Sequence, residues 1–169
     1  HDAAVASRYD TIICKQGHTE TLAAAAGIAL SKIGVQLVGL GTGASRPTIN
    51  LGTATTATVT VTAANIGIYN MRFLSTFADV VTAIGLTAAG FTCEGCEFGD
   101  SAVDLNLLSA IKATSTSDGN ANNIRLVGNY FLSQDAATLG FFIHAADILK
   151  AVIEDNVIVG AFATTGNIS

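Results

Sequence analysis

The clearest copy of a repeated pattern is Ile124-Arg-Leu126-Val-Gly-Asn129-Tyr-Phe131. In this pattern, apolar residues stand at the first, third and eighth positions, and a small or turn-forming residue stands at the sixth position. Period-two alternation is typical of a β-strand, and a Gly-Asn pair is typical of a tight turn. The stretch therefore predicts a strand, a sharp corner and a second strand.

The same pattern returns along the chain, in 66–73, in 91–98 and in 151–158, with a partial copy in 35–40. The second apolar residue marks each copy, and these markers are Leu37, Ile68, Cys93, Leu126 and Ile153. They are 31, 25, 33 and 27 residues apart. Because a helical repeat keeps a nearly constant period, this spacing favours a solenoid of fixed strands and variable loops.

Further short strands are predicted between the markers, around 59–61, 83–86, 107–111 and 141–143. Two or three short strands per turn of this length predict an all-β fold, a parallel β-helix of about six coils. In such a fold each residue lies about 4.8 Å above its counterpart in the previous coil, so like residues stack in the interior. The five markers would form one inward column, and a second would contain Phe73, Phe98, Phe131 and Ile158.

Two asparagines, Asn129 and Asn156, share the position after the first strand of their copies. Asparagine tolerates left-handed backbone at a corner and can hydrogen-bond its own turn. Stacked asparagines can also bond to one another. We therefore interpret both residues as structural.

The chain resembles the right-handed parallel β-helix of the pectin-lyase-like superfamily. The resemblance rests on Asp10-Thr-Ile-Ile-Cys-Lys-Gln-Gly-His-Thr-Glu20, which is similar to a first-coil strand and glycine turn of that superfamily, and on Val35-Gln-Leu-Val-Gly-Leu-Gly-Thr-Gly43. Val127-Gly-Asn-Tyr-Phe131 and Glu154-Asp-Asn-Val-Ile158 are similar to its recurrent turns. These motifs cover most of residues 1–169, which implies a single-stranded β-helix in one domain.

The superfamily includes polysaccharide lyases, glycoside hydrolases and non-enzymatic viral proteins, so the fold alone does not give a chemistry. The composition, rich in Ala, Thr and Gly and poor in charge, most resembles structural proteins of tailed bacteriophages. The resemblance thus implies a non-enzymatic component of a virion, or an extracellular protein, that assembles into a homo-oligomer, with a trimer as the family example, and contacts other virion proteins. The alternative is a carbohydrate-active enzyme or glycan-binding module.

A lyase of this type would present acidic calcium ligands and a basic residue on its outer face, and a hydrolase would present clustered aspartates. The predicted outward columns contain no aspartate cluster. The best catalytic set that they offer is Glu94, Glu97, Arg125, Tyr130, Glu154 and Asp155. Cross-coil surface pairing is the other interpretation of these charges. Asp79, Asp100, Asp104, Asp135 and Asp147 are interpreted as turn residues.

Cysteine and histidine positions predict no metal site and no cofactor. Cys93 and Cys96 form a single Cys-x-x-Cys motif without a second pair, and Cys14 is distant. A zinc site needs four suitable ligands, and His18 and His144 are not near the motif in this register. Both Cys93 and Cys96 are predicted to fill inward positions as small apolar residues.

Composition narrows the class further. Charged residues make up 12% of 169, where an ordinary domain has about 25%. A net charge of −5 disfavours a nucleic-acid partner, and glycines and Lys32 interrupt the apolar window 22–41, which disfavours a membrane span. The start at His1 and the end in mid-pattern suggest a piece of a longer chain. The apolar excess predicts surfaces covered by partners.

Overall fold

The computed structural model describes residues 4–5, 8–24, 27–114, 119, 121–144 and 146–163. The chain winds as an all-β parallel solenoid of about five turns, and each complete coil contributes one strand to each of three parallel sheets. The predicted parallel β-helix is therefore confirmed. A 3-10 turn at Gly43–Ser45 is the one helical element among the described residues.

The strands are short and follow one another in the same order in every coil. Coils 1 to 3 contain β1 (Thr11–Cys14), β2 (Thr19–Leu22), β3 (Ile28–Leu30), β4 (Gln36–Gly39), β5 (Thr48–Leu51), β6 (Val59–Val61), β7 (Gly67–Tyr69), β8 (Arg72–Ser75) and β9 (Ile84–Leu86). Coils 4 to 6 contain β10 (Thr92–Glu94), β11 (Glu97–Asp100), β12 (Ser109–Ala113), β13 (Arg125–Val127), β14 (Tyr130–Ser133), β15 (Gly140–His144), β16 (Val152–Glu154) and β17 (Val157–Gly160).

The first strands of the coils form sheet A, the second strands form sheet B and the third strands form sheet C. In sheet A, the five repeat markers lie directly in register, Leu37 to Ile68, Ile68 to Cys93, Cys93 to Leu126 and Leu126 to Ile153. All are buried except Ile153, which is partly buried in the last coil. Because strand side chains alternate between faces, this column points into the solenoid.

Sheet B carries a second inward column in which Phe73, Phe98 and Phe131 lie in register with Ile158. The rings of Phe73 and Phe98 stack with centroids 5.0 Å apart and planes 10° apart. Phe141 of sheet C contacts Phe98 edge-on at 6.1 Å and Phe131 at 6.3 Å. Such offset and edge contacts are the favoured aromatic geometries, and they fill the interior between sheets B and C.

The first coil departs from this inward column. Glu20 of β2 lies in register with Ile49, so a carboxylate occupies the position that holds an apolar side chain in every later coil. Its side chain is 55% exposed and lies 3.9 Å from His18. A charge at an inward position of an edge strand discourages another strand from pairing there.

The corner between sheets A and B is two residues long from coil 3 onward. Its first residue has left-handed backbone in every case, at Asn70 (φ 54°), Gly95 (62°), Gly128 (62°) and Asp155 (55°). Asn129 and Asn156 follow this residue and do not take left-handed backbone themselves. Glycine, asparagine and aspartate are the residues that adopt this conformation at least cost.

The second corner residue directs its side chain inward, and in the last coils it is asparagine. Asn129, 1% exposed, accepts a bond from the Cys96 backbone N–H at 2.9 Å and donates to the Cys93 carbonyl at 3.0 Å. Asn156 repeats this arrangement one coil later, with the Asn129 N–H at 2.9 Å and the Leu126 carbonyl at 2.9 Å. The asparagines therefore satisfy backbone groups that the tight corner leaves unpaired.

Candidate functional site

Five of the six residues of the predicted catalytic set lie on the outer faces of sheets A and B, and the sixth lies in the corner between these sheets. Glu94, Arg125 and Glu154 belong to sheet A, and Glu97 and Tyr130 belong to sheet B. Asp155 lies in the corner of coil 6. The structure therefore brings together two smaller groups, one on each sheet.

On sheet A, Glu94 and Glu154 share an outward column with Val127 between them. Two coil spacings separate their backbones by about 10 Å. That is about the upper limit for the carboxyl pairs of inverting glycosidases and twice the separation in retaining ones. Glu154 accepts an ion-paired hydrogen bond from Arg125 at 3.2 Å, with both side chains about half exposed.

Tyr69 lies beside Glu94 in register on the same face. Burial raises the pKa of the Tyr69 hydroxyl, the charge of Glu94 raises it further, and Arg125 acts in the opposite direction. A phenol with a raised pKa remains protonated at neutral pH, so it can donate a hydrogen bond but is a poor base.

On sheet B, Glu97 is held by two arginines from different coils. Arg46 Nη1 lies 2.5 Å from Glu97 Oε1, and Arg72 Nε lies 2.8 Å from Glu97 Oε2. The side chains of Arg46, Arg72 and Glu97 are only 17%, 28% and 26% exposed. Both oxygens of the Glu97 carboxylate are thus engaged in charge-assisted hydrogen bonds within the protein.

Arg46 belongs to the loop that follows β4, and both arginines help to fasten this loop to the neighbouring coils. Arg46 Nε donates to Asn70 Oδ1 at 2.8 Å, and Arg72 donates to the Gly43 carbonyl at 3.1 Å. Asn70 in turn donates to the carbonyls of Gly39 and Gly41 at 2.8 Å. The network fastens the loop of coil 2 to coils 3 and 4, and its geometry is that of a structural clamp.

Beside this network lies an open depression of about 220 Å³ on the outer face of sheet B. Its rim carries Arg72, Glu97 and Tyr130, and its apolar walls are Leu74 and Leu132. Gly99 lies between the two leucines in register and leaves the floor without a side chain. Tyr130 is 40% exposed, so an aromatic ring faces solvent at this edge.

A buried polar cluster, centred on Asp100, lies where sheet B turns toward sheet C. Asp100 is 5% exposed, and its two oxygens accept backbone N–H bonds from Leu107 at 2.8 Å and Gln134 at 2.7 Å. Burial raises the pKa of this carboxyl and the charge of Asp135 adds to the effect, while the two N–H bonds lower it. The interpretation of Asp100 as a simple turn residue is wrong, because it ends β11 and joins two coils.

The cysteines lie as small interior groups. Cys93 and Cys96 are buried, and Cys96 Sγ is 3.6 Å from the Ile68 carbonyl. Burial raises the pKa of Cys93 well above its ordinary value, and the neighbouring Cys96 adds to this. Within the described part of the chain, no group of three or more His, Cys, Asp or Glu side chains is arranged to hold a metal ion.

Sequence reasoning missed Arg46 as a partner of Glu97. The residue lies in a loop of variable length, and nothing in the repeat assigns it to a column. The described ranges also contain no helix long and apolar enough to span a bilayer. Comparisons of the chain with protein-family models, with curated proteins and with solved structures gave no match.

Proposed function

We propose that this chain is a non-enzymatic structural β-helix that assembles into a homo-oligomer. The observation that carries the proposal is the apolar outer surface of the last coils. Val152, Val157 and Val159 are 41%, 52% and 46% exposed at outward positions, and Tyr130 is 40% exposed. Val152 lies on the outer face of sheet A and the other three lie on the outer face of sheet B. Exposed apolar residues on neighbouring strands are typical of surfaces that other proteins cover.

The polar groups support a structural role as well. Glu97 is clamped by two arginines, and Arg125 pairs with Glu154. Asn129 and Asn156 are committed to backbone bonds at the corner. Each of these side chains stabilises contacts between coils, so the polar residues serve the stacking of the solenoid.

The assembly test uses the whole chain at several concentrations. Sedimentation velocity and native mass spectrometry should give a discrete oligomer, and electron microscopy should show particles of one size. A chain that remains monomeric at every concentration would contradict the proposal.

We further propose that the oligomer is part of a virion, in contact with other virion proteins, or is otherwise extracellular. The support is the charge-poor composition of the chain, 12% charged residues, together with a solenoid fold. Mass spectrometry of purified particles that carry the gene should detect the chain in stoichiometric amount. Its absence from the particles would contradict this placement.

A second candidate is a glycan-binding or glycan-cleaving outer face. The observation that favours it is the exposed ring of Tyr130 beside Arg72 and Glu97 at the rim of the depression. Glycan binding measured by calorimetry, and release of reducing ends from polysaccharides, test it directly. Loss of either signal in Glu97→Gln, with the fold intact by circular dichroism, would support this candidate.

A further inference from the structure

The depression on the outer face of sheet B arises because one outward position lacks a side chain. In the column that contains Gly99, Leu74 precedes it by one coil and Leu132 follows it by one coil. Two coil spacings separate the backbones of the two leucines by about 10 Å, so their side chains form facing walls. Coils 2 and 6 flank these coils in sheet B, so the depression does not arise from the end of a sheet.

The space between the walls is small. Its floor at Gly99 is bare backbone, and its volume is about 220 Å³. That volume equals about seven water molecules of the liquid, which is enough for one small ring and too little for a long ligand.

A donor and an acceptor lie side by side at the rim. Each oxygen of Glu97 is paired with one arginine nitrogen, and each keeps a second lone pair. Arg72 donates through Nε and Nη2, whereas its Nη1 forms no hydrogen bond with any residue that the structure describes. Because a hydroxyl group both donates and accepts, it can bond to the guanidinium and the carboxylate at once.

Tyr130 adds an aromatic surface to the same rim. The residue is 40% exposed. The face of an aromatic ring carries partial negative charge, and it attracts C–H bonds that neighbouring oxygen atoms have polarised. A ligand that suits this rim and the leucine walls has an apolar C–H face and hydroxyl groups around its edge. A sugar ring has both.

The charges around the depression favour an uncharged sugar. The lining contains Arg72, Glu97 and Asp100, and Arg46 adds a second positive charge through its pair with Glu97. Positive and negative groups therefore balance. A sugar carboxylate would approach Glu97 and Asp100, and a sugar ammonium would approach Arg72. Either one would bring a charge toward a like charge whose own partners are already in place.

We propose that this depression binds one uncharged pyranose ring of a glycan. The ring lies over Gly99 against Tyr130, and one of its hydroxyl groups bonds to Arg72 and Glu97. The inference rests on the glycan-binding candidate described above, and it specifies the kind of ring and the residue that makes room for it. A small apolar pocket with a few polar groups at its edge is the usual form of such a site.

A pair of glycine variants tests the site. A Cβ on Gly99 would meet only Leu132 atoms, at 3.5 and 3.9 Å, so Gly99→Val fits the folded chain and fills the depression. Gly85→Val is the matched control, because Gly85 is an outward residue of sheet C whose Cβ would meet Thr58 and Thr82 atoms at 3.8 Å. Tyr130→Ala removes the ring, and Tyr130→Phe removes only its hydroxyl. Circular dichroism verifies that each variant is folded.

The probes are the methyl glycosides of glucose, galactose and mannose, with glucuronic acid and glucosamine as charged comparisons. Saturation-transfer NMR on the whole chain should show binding of at least one neutral glycoside, with a dissociation constant of about 1 mM. Gly99→Val and Tyr130→Ala should weaken this binding about tenfold or more, because the first fills the space of the sugar and the second removes its stacking surface. Tyr130→Phe should stay within about threefold of the wild type, and Gly85→Val should match it.

The outcomes separate this inference from the candidate function beneath it. Binding that Gly99→Val leaves unchanged, or tighter binding of either charged sugar, would overturn the inference. If no neutral glycoside binds while calorimetry detects a bound polysaccharide, the inference fails and the glycan-binding candidate stands. If no glycan binds in either experiment, both fail.

Discussion

Asn129 and Asn156 are bonded side chain to side chain across neighbouring coils, with Asn129 Nδ2 donating to Asn156 Oδ1 at 2.9 Å. The same Asn156 oxygen accepts the Asn129 backbone N–H, so one carbonyl group serves both. Removing either asparagine therefore affects the coil before it as well as its own.

We expect Asn129→Ala to lower the free energy of unfolding by about 2 to 3 kcal/mol, since it leaves the buried Cys96 N–H without an acceptor. Asn156→Ala, at a half-buried position in the last coil, should cost about 1 kcal/mol because water can replace its bonds. Urea denaturation followed by circular dichroism measures both. Equal losses of unfolding free energy in the two variants would contradict the expectation that burial makes the Asn129 bonds harder for water to replace.

The clamp on Glu97 should contribute modestly to stability. Glu97→Gln removes one charge from between two arginines and should cost about 1 kcal/mol, because the cluster is partly exposed and solvent screens it. Hydrogen exchange should become faster around Gly43–Ser45, the loop that Arg72 and Arg46 hold. Glu154→Gln is the control: its single exposed pair should be worth a few tenths of a kcal/mol. A larger loss in the control would contradict the clamp.

Asp100 should make stability depend on pH. Burial raises its folded-state pKa, so the folded chain binds the proton more tightly than the unfolded chain. The stabilisation is fully present below the ordinary carboxyl pKa and is lost as pH rises through the raised value. As pH rises from the ordinary carboxyl pKa to the raised value, the free energy of unfolding of the wild-type chain should therefore fall relative to that of Asp100→Asn. Above the raised value, the difference between the two chains should no longer change with pH.

Urea denaturation of both chains over a pH series measures this difference. Asp135→Asn provides a second check, because removing the Asp135 charge should lower the pKa of Asp100 and narrow the window. A wild-type minus Asp100→Asn difference that is constant with pH would contradict the assignment.

Thiol reactivity should separate the three cysteines. Burial raises the pKa of Cys14 and of Cys93, but Cys14 is only half-buried, whereas Cys93 and Cys96 are enclosed. Because the thiolate is the reactive species, a disulfide reagent should label Cys14 slowly in the native chain and the other two only on unfolding. Cys14→Ser should abolish native labelling. Labelling of Cys93 or Cys96 at the same rate as Cys14 would show that the interior is open.

The repeat could be predicted from the sequence because its strands lie on both sides of a two-residue corner, which keeps Leu126 and Phe131 at fixed spacing. Arg46 could not be assigned to Glu97, because a loop of variable length separates them and only the winding of the chain brings them together. The burial of Asp100 was equally hidden: its partner N–H groups belong to Leu107 and Gln134, and Gln134 lies a full coil later. Contacts between residues of one column follow from the repeat period, whereas contacts made by loop residues depend on how each loop folds, which the period does not determine.

The two-residue corners that begin at Gly95 and Gly128 fix the position at which sheet B starts in coils 4 and 5. Changes in loop length elsewhere cannot accumulate, since each new corner returns the chain to the same angular position whatever preceded it. Residues inserted after sheet B or sheet C would therefore protrude sideways and leave the stacked interior unchanged, whereas one residue added between β13 and β14 would turn Phe131 outward. In coils 3 to 6 the solenoid thus has one side of fixed corner length and two along which it can acquire new surface, whereas in coil 2 the same corner carries eight residues, 40–47, and Ile49 still keeps its inward register.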